Sequence, residues 1–302
     1  MPTIQITPQF VDLPGGIKLY TERVHSTQRV QSNSPHTIIM IHGLGGTTSL
    51  YHPIYASILA SSPASTILAY DQSGQGLSAI SPSHLKGGSN PLSHDILRDE
   101  LDALISTAAP TGPLTLVGHS AGTILVAHFI VSSSPNVARV KNAILIAAPI
   151  GTPDTPMIDS MRDTVLRTIE ERGIPAIVEQ VCIALTGTTT REKRPLAAAL
   201  MRCALLLQSK EGYAAHMRSG LDFRKNLKFP FEKFPESLRV LIVGGDEDLF
   251  VPAAESVALG EKIPHSQVFV IPGVGHSPHV EVPEEFVSIV TKFLTQVGYG
   301  VI

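Results

Sequence analysis

The chain has 302 residues, 43% of them hydrophobic and 16% charged, with a formal charge of −3. That length and apolar fraction suit one large core, as α/β folds of this size commonly form, and the near-neutral balance offers nucleic acid no basic surface. Tryptophan is absent, which excludes any mechanism built on an indole.

The two cysteines, Cys182 and Cys203, are too few for a disulfide scaffold and read as reduced, buried thiols. The opening Met1-Pro2-Thr3-Ile4-Gln5 carries no basic region followed by an apolar run. No apolar stretch reaches membrane-spanning length outside segments that read as strand or helix. None of the five asparagines opens an Asn-x-Ser/Thr site. These features predict a cytoplasmic protein with neither membrane nor nucleic-acid partners.

Residues 4–12 and 17–25 form two extended runs joined by Pro14-Gly15-Gly16, the pattern of a hairpin. A polar stretch, 26–35, follows. Short β-branched apolar runs then recur at 37–41, 66–70, 114–117, 143–147, 240–243 and 267–271, the mark of parallel strands buried on both faces. Helix-period segments lie between them at 51–60, 92–107, 122–132, 253–262 and 283–296. This alternation predicts a doubly wound, mainly parallel sheet.

One interval breaks the rhythm. Residues 152–225 contain no parallel-strand run and read as helices over 158–172, 176–185, 194–207 and 211–220. They carry eleven basic and nine acidic residues, against twelve and seventeen in the remainder. The expected organisation is a core of residues 1–151 and 226–302 with an inserted helical cap at 152–225. Ligands bind beyond the carboxyl ends of the strands in such sheets, so an insertion there is placed to act as a lid.

Gly118-His119-Ser120-Ala121-Gly122 sits between a strand run and a helical segment, the strand–turn–helix setting that a nucleophilic serine requires. The turn is so tight that only small residues fit two before and two after the serine. An ordinary helix-capping serine is the plain structural alternative. A serine hydroxyl needs a base, and the base needs an orienting acid. In chain order these come from the loops after the last two strand runs. His276 lies in Gly273-Val274-Gly275-His276, and Asp246, Glu247 and Asp248 lie together after 240–243. Asp248, four residues before Pro252, is the preferred acid, with Asp246 its alternative. His279 has no glycine before it and reads as a supporting loop residue.

The charge that develops on a carbonyl oxygen under attack calls for preorganised N–H donors, each worth about 3–4 kcal/mol. The Ala121 N–H is one candidate. Leu44 in His42-Gly43-Leu44-Gly45-Gly46, the glycine-rich loop after 37–41, is the other. Gly43 and His119, which flank these donors, are candidate substrate contacts. The loop lacks the spacing of a phosphate-binding fingerprint, and the chemistry calls for no metal or organic cofactor.

With these motifs in order, and with Asp71-Gln72-Ser73-Gly74-Gln75-Gly76-Leu77-Ser78 between them, the chain resembles the α/β-hydrolase fold family over about residues 15–297. The second landmark has Ser73 where the family usually has arginine. The resemblance implies a Ser-His-Asp triad that hydrolyses a small-molecule ester or lactone through an acyl-enzyme. The 160–176 segment, Lys210-Glu211-Gly212-Tyr213-Ala214-Ala215, Leu221-Asp222-Phe223 and the 264–286 tail are similar to the 3-oxoadipate enol-lactonase branch. That branch carries a lid tryptophan that this chain lacks. Ser120 stands where dehalogenases and epoxide hydrolases have aspartate. Carbon–carbon bond hydrolases, cofactor-free oxygenases and non-catalytic receptors of the same fold stay open. Among the cap's basic residues Arg162, Arg167, Arg202, Arg218 and Arg224, one could meet a substrate carboxylate. Met157, Met161, Met201 and Met217 read as core filling.

Overall fold

The computed structural model describes residues 3–28, 35–85, 92–150, 156–226, 231–263 and 265–295. Its strands are β1 (Ile4–Leu13), β2 (Ile17–Ser26), β3 (Thr37–Ile41), β4 (Thr66–Tyr70), β5 (Leu114–His119), β6 (Val140–Ile146), β7 (Arg239–Gly245) and β8 (Gln267–Ile271). They form one sheet in the order β1-β2-β4-β3-β5-β6-β7-β8. The β1–β2 hairpin and the β2–β4 pairing are antiparallel, and the other pairings are parallel.

The helices are α1 (His52–Ser61), α2 (Pro82–Leu85), α3 (His94–Ala108), α4 (Ala121–Ile130), α5 (Pro156–Arg172), α6 (Val178–Leu185), α7 (Thr188–Lys193), α8 (Pro195–Leu206), α9 (Lys210–Asn226), α10 (Ala253–Lys262), α11 (Pro278–Glu281) and α12 (Pro283–Thr295). Among the described residues, none is long and apolar enough to cross a membrane.

The continuous apolar runs are two-faced, because successive side chains of a strand point to opposite sides. Ile39, Ile41, Leu116, Leu145, Val240 and Ile242 join the cluster covered by α3, α4 and α10. Their neighbours Ile38, Met40, Val117, Ile144, Leu241 and Val243 join the cluster covered by α1 and α12. Each such side chain contributes roughly 1.5–3 kcal/mol on burial. The interleaving leaves little freedom for a register shift, since a slip of one residue would exchange the two faces.

The chain moves outward from β3 to β4 and then returns to place β5 on the other side of β3. This reversal opens a crevice above the carboxyl ends of β3 and β5. In register, Ile41 pairs with Gly118, His119 with Ile146, Ile146 with Val243 and Gly245 with Ile271. The loops after β3, β5, β7 and β8 therefore leave the sheet on one rim.

Helices α5–α9 intervene between β6 and β7. Helix α7 is absent from the sequence reading, because six residues carry too little periodicity to register. Both cysteines are free. Cys182 is buried on α6, but Cys203 is exposed on α8, contrary to the expectation of two buried thiols. Cys203 takes the outer face of α8, whose inner face holds Met201, Ala204 and Leu205. Met201 packs with Leu50, Ala204 and Val280, and Met217 lies half-buried against the cluster of Ile169, Ile174, Leu205 and Tyr213. The side chains of Met157, Met161, Arg162 and Arg224 lie outside the described residues.

Ser73, in place of the expected arginine, donates its hydroxyl to Glu100 Oε1 at 2.7 Å. Glu100, on α3, is buried, and that burial pushes its carboxyl up to about 7 against the lowering effect of the Ser73 bond. A carboxyl raised in the folded state stabilises the fold while protonated, and loses that contribution as pH rises through about 7. Glu100→Gln keeps an acceptor for Ser73 and removes the titration. Its melting temperature is expected to rise above that of the wild type between about pH 4.5 and 8, and to converge with it at the acid end. A difference independent of pH would contradict the assignment.

Candidate active site

Ser120 joins β5 to α4 with φ 51° and ψ −120°, a region that costs a side chain of order 1–3 kcal/mol. Its neighbours hold it there. The Ser120 N–H donates to Ile146 O at 2.8 Å, and its carbonyl accepts from Thr123 N–H at 2.9 Å and Thr123 Oγ1 at 2.6 Å. Two glycines make the turn possible by close approach. A Cβ on Gly122 would lie 2.3 Å from Ile41 O, and one on Gly118 would lie 2.7 Å from Gly122 O. Gly43 completes the crowding, since its Cβ would stand 2.9 Å from both His119 O and Ser120 Cβ.

The histidine and acid loops converge on the same rim. Asp248 Oδ2 meets His276 Nδ1 at 2.7 Å, and Asp248 Oδ1 accepts from the N–H groups of Phe250 at 2.8 Å and Val251 at 2.9 Å. Both side chains of the pair are buried. Asp246 is exposed and accepts instead from Gly273 N–H at 2.6 Å. Glu247 turns away to the N–H of Thr188 at 2.5 Å. Of the three adjacent acids, Asp248 alone bonds the imidazole.

His119 links the nucleophile turn to the histidine. Its Nε2–H donates to His276 O at 2.9 Å, and its ring lies 5.0 Å from that of His276 and 4.7 Å from that of His279. The ring of Phe250, which is partly open to solvent, flanks His276 at 5.4 Å. Among the described residues Ser120 Oγ makes no hydrogen bond to His276, and nucleophile–base contacts of this kind often shorten only in the substrate complex.

Among the described residues, neither the Leu44 nor the Ala121 N–H has an acceptor. Ala121 opens the ten-residue α4, where unpaired N–H groups and the helix dipole favour negative charge. The Leu44 side chain packs half-buried against the cluster of Ile169, Ile174, Leu205 and Tyr213 on the inserted helices.

Three glutamines that the sequence reading passed over brace the Leu44 loop. Gln72 Nε2 donates to His42 O at 2.6 Å, and Gln75 Oε1 accepts from Gly45 N–H at 2.6 Å. Gln208, beyond α8, donates to Gly45 O and Gly46 O at 3.3 Å each. Gly45 itself has φ +73°, and a Cβ there would lie 2.6 Å from Leu205 Cδ2. Gln72 and Gln75 fall within the Asp71–Ser78 motif, where their signal lay. Gln208 follows an apolar helix and has no signal in sequence. Among the described residues, no group of three or more His, Cys, Asp or Glu side chains is arranged to hold a metal ion.

The sequence profile of the alpha/beta hydrolase family matches residues 38–289. A pimeloyl-acyl-carrier protein methyl ester esterase of Yersinia enterocolitica is 33% identical over 93 residues, which span 31% of this chain and 36% of that esterase. An esterase structure from Thermogutta terrifontis has a TM-score of 0.78 at 22% identity, covering 96% of this chain and 99% of its own. The enol-lactonase from Burkholderia xenovorans LB400 has a TM-score of 0.77 at 19% identity, covering 95% and 100%. Identities this low establish a shared fold.

The buried histidines around the turn are held neutral. Desolvation lowers His42 to about 4, against the raising effect of its bond to Gly43 O. Desolvation, helped by His279 and His276, takes His119 well below the usual histidine value. The bonds fix opposite tautomers: His42 carries its proton on Nδ1 and accepts from Gln72 N–H on Nε2, whereas His119 carries its proton on Nε2. Nitrogen-15 NMR is expected to show both rings untitrated from pH 5 to pH 8 in these two tautomers. Protonation of either within that range would contradict the buried geometry.

Proposed function

The chain belongs to the alpha/beta hydrolase family, and from that premise we propose that it is a serine hydrolase of small carboxylic esters or lactones. The observation that carries this reading is the strained Ser120 turn beside a buried His276–Asp248 pair. His276 takes the proton of Ser120 as its oxygen attacks the carbonyl. Asp248 holds the imidazole through Nδ1 and stabilises its cation. The free N–H groups of Leu44 and Ala121 receive the oxyanion. His276 then protonates the leaving alkoxide, which stays tethered when the substrate is a lactone. Water activated by the same imidazole releases the acid. Gly43 borders the substrate through its backbone, and His119 acts from behind by holding the carbonyl of His276.

Helices α5–α9 serve as the cap, and they meet the oxyanion loop at Leu44 and Gly45. The described part of the cap supports a neutral substrate. Each of its described Lys and Arg side chains is exposed. Arg202 pairs with Glu179 and Arg218 with Glu170, each at 2.7 Å, so neither is directed at a substrate carboxylate.

A fluorophosphonate probe is expected to label Ser120 at neutral pH and to leave Ser120→Ala unlabelled. A folded wild type that resists the probe would sink the proposal. Asp248→Asn is expected to lower kcat on a p-nitrophenyl ester by about 10⁴-fold, and Asp246→Asn by no more than a few-fold. The reverse ranking would move the acid to Asp246. In a paired screen, neutral esters and lactones should exceed their carboxylate-bearing analogues at least about tenfold in kcat/KM, a factor that one unpaired buried charge readily supplies. Equal rates would refute the reading of a neutral substrate.

A further inference from the structure

Glu281 closes the four-residue α11, five positions after His276, and its side chain is fully buried. Its carboxylate faces only donors. Oε2 accepts from Gly187 N–H at 2.8 Å, Thr190 Oγ1 at 2.7 Å and Gly275 N–H at 3.1 Å. Oε1 accepts from Ser277 N–H at 3.0 Å. Only an ionised carboxylate accepts on both oxygens without presenting a proton of its own, so the four donors specify glutamate by chemistry as well as by shape.

The placement of those donors carries the argument. Gly275 and Ser277 are the residues on either side of His276, and the N–H of His276 donates to Leu185 O on α6 at 2.9 Å. Three consecutive backbone N–H groups of the histidine loop are thus fixed, the outer two by Glu281 and the middle one by the inserted helices. Gly187 and Thr190 belong to the same insertion. The backbones touch as well, since a Cβ on Gly275 would lie 2.5 Å from Gly187 N and 2.8 Å from Leu185 O. Arg194 of the insertion also donates to the Glu281 carbonyl.

We propose that Glu281 is the positioning residue of His276: it locks the peptide units on both sides of the imidazole and joins them to the α6–α7 turn of the insertion. The inference rests on the reading of His276 as the catalytic base. Its expected effect is therefore on turnover more than on substrate binding, because misplacing a base by an ångström or less costs up to about 10²-fold in rate.

The test compares full-length wild type, Glu281→Gln and Glu281→Asp. Glu281→Gln presents an amide to N–H donors, and Glu281→Asp keeps the charge but falls one methylene short. Three readouts are taken: kcat and KM on p-nitrophenyl butyrate, the rate of fluorophosphonate labelling, and the downfield proton resonance of His276 Nδ1–H against Asp248. Glu281→Gln is expected to lose about 10- to 100-fold in kcat with KM within about threefold. Labelling should slow in proportion yet still reach completion, and the resonance should shift or broaden. If Glu281→Gln does not fold, Glu281→Asp carries the same readouts, with a kcat loss of at least about tenfold expected. A lower melting temperature with kcat, labelling and resonance at wild-type values would overturn the proposal and leave Glu281 as a fastening for the insertion alone. A wild type that neither labels nor turns over would instead remove the hydrolase reading, and the resonance would still report whether Glu281 positions the ring.

Discussion

The end of β3, the end of β5 and the start of α4 approach so closely that no side chain fits between them at three positions. Gly122 lies against Ile41 O, Gly118 against Gly122 O, and Gly43 against His119 O and Ser120 Cβ. That crowding accompanies the strained conformation of Ser120. The same turn leaves the Ala121 N–H without an acceptor at the start of α4, with Gly43, the residue before Leu44, packed against it. The strained serine turn and two N–H groups without acceptors among the described residues thus share one steric constraint. The cost of the strain is carried by the two-faced core below, whose interleaved side chains hold the register that keeps these strand ends adjacent.

The second half of the site is held by polar contacts across long sequence separations. Asp248 reaches His276 across 28 positions, and His119 reaches the His276 carbonyl across 157. Each of these buried groups is directed by a backbone partner: the N–H groups of Phe250 and Val251 turn the aspartate, and the His276 carbonyl fixes the tautomer of His119. Both oxygens of Asp248 are bonded, and a buried network of this kind favours one geometry, because moving the carboxylate would leave buried donors unpaired. His42 and His119, held neutral by burial, add no positive charge beside the His276–Asp248 pair.

What the sequence discloses divides along this line. Parallel strands announce themselves through continuous β-branched runs, and the serine turn through its glycines, because both are local steric requirements written in consecutive residues. The histidine loop is legible for the same reason. The choice among Asp246, Glu247 and Asp248 is not local. Three adjacent carboxylates look alike until the partners of each are known, and those partners lie on Gly273, Thr188 and His276. Gln208 and Glu281 are still less visible, since each also reaches groups distant in sequence, Gly45 and Gly46 for Gln208 and Gly187 and Thr190 for Glu281. Helix boundaries in the insertion differed by one or two residues except at the end of α9, which runs six residues further, and the outward turn of Cys203 depends on which face of α8 meets Leu50 and Val280.

The contact between Gly187 and Gly275 has a consequence for how such proteins can be recombined. Backbone meets backbone there with no room for a Cβ on either side, and the peptide hydrogen of His276 ends on a carbonyl of the insertion. The inserted helices are therefore not a module that can be clipped from the sheet. Removing them would strand the His276 N–H, and grafting a foreign set would succeed only if it arrived with a glycine and a free carbonyl at the matching turn. Exchange between relatives at this position is a two-part operation, in which insertion and histidine loop travel together.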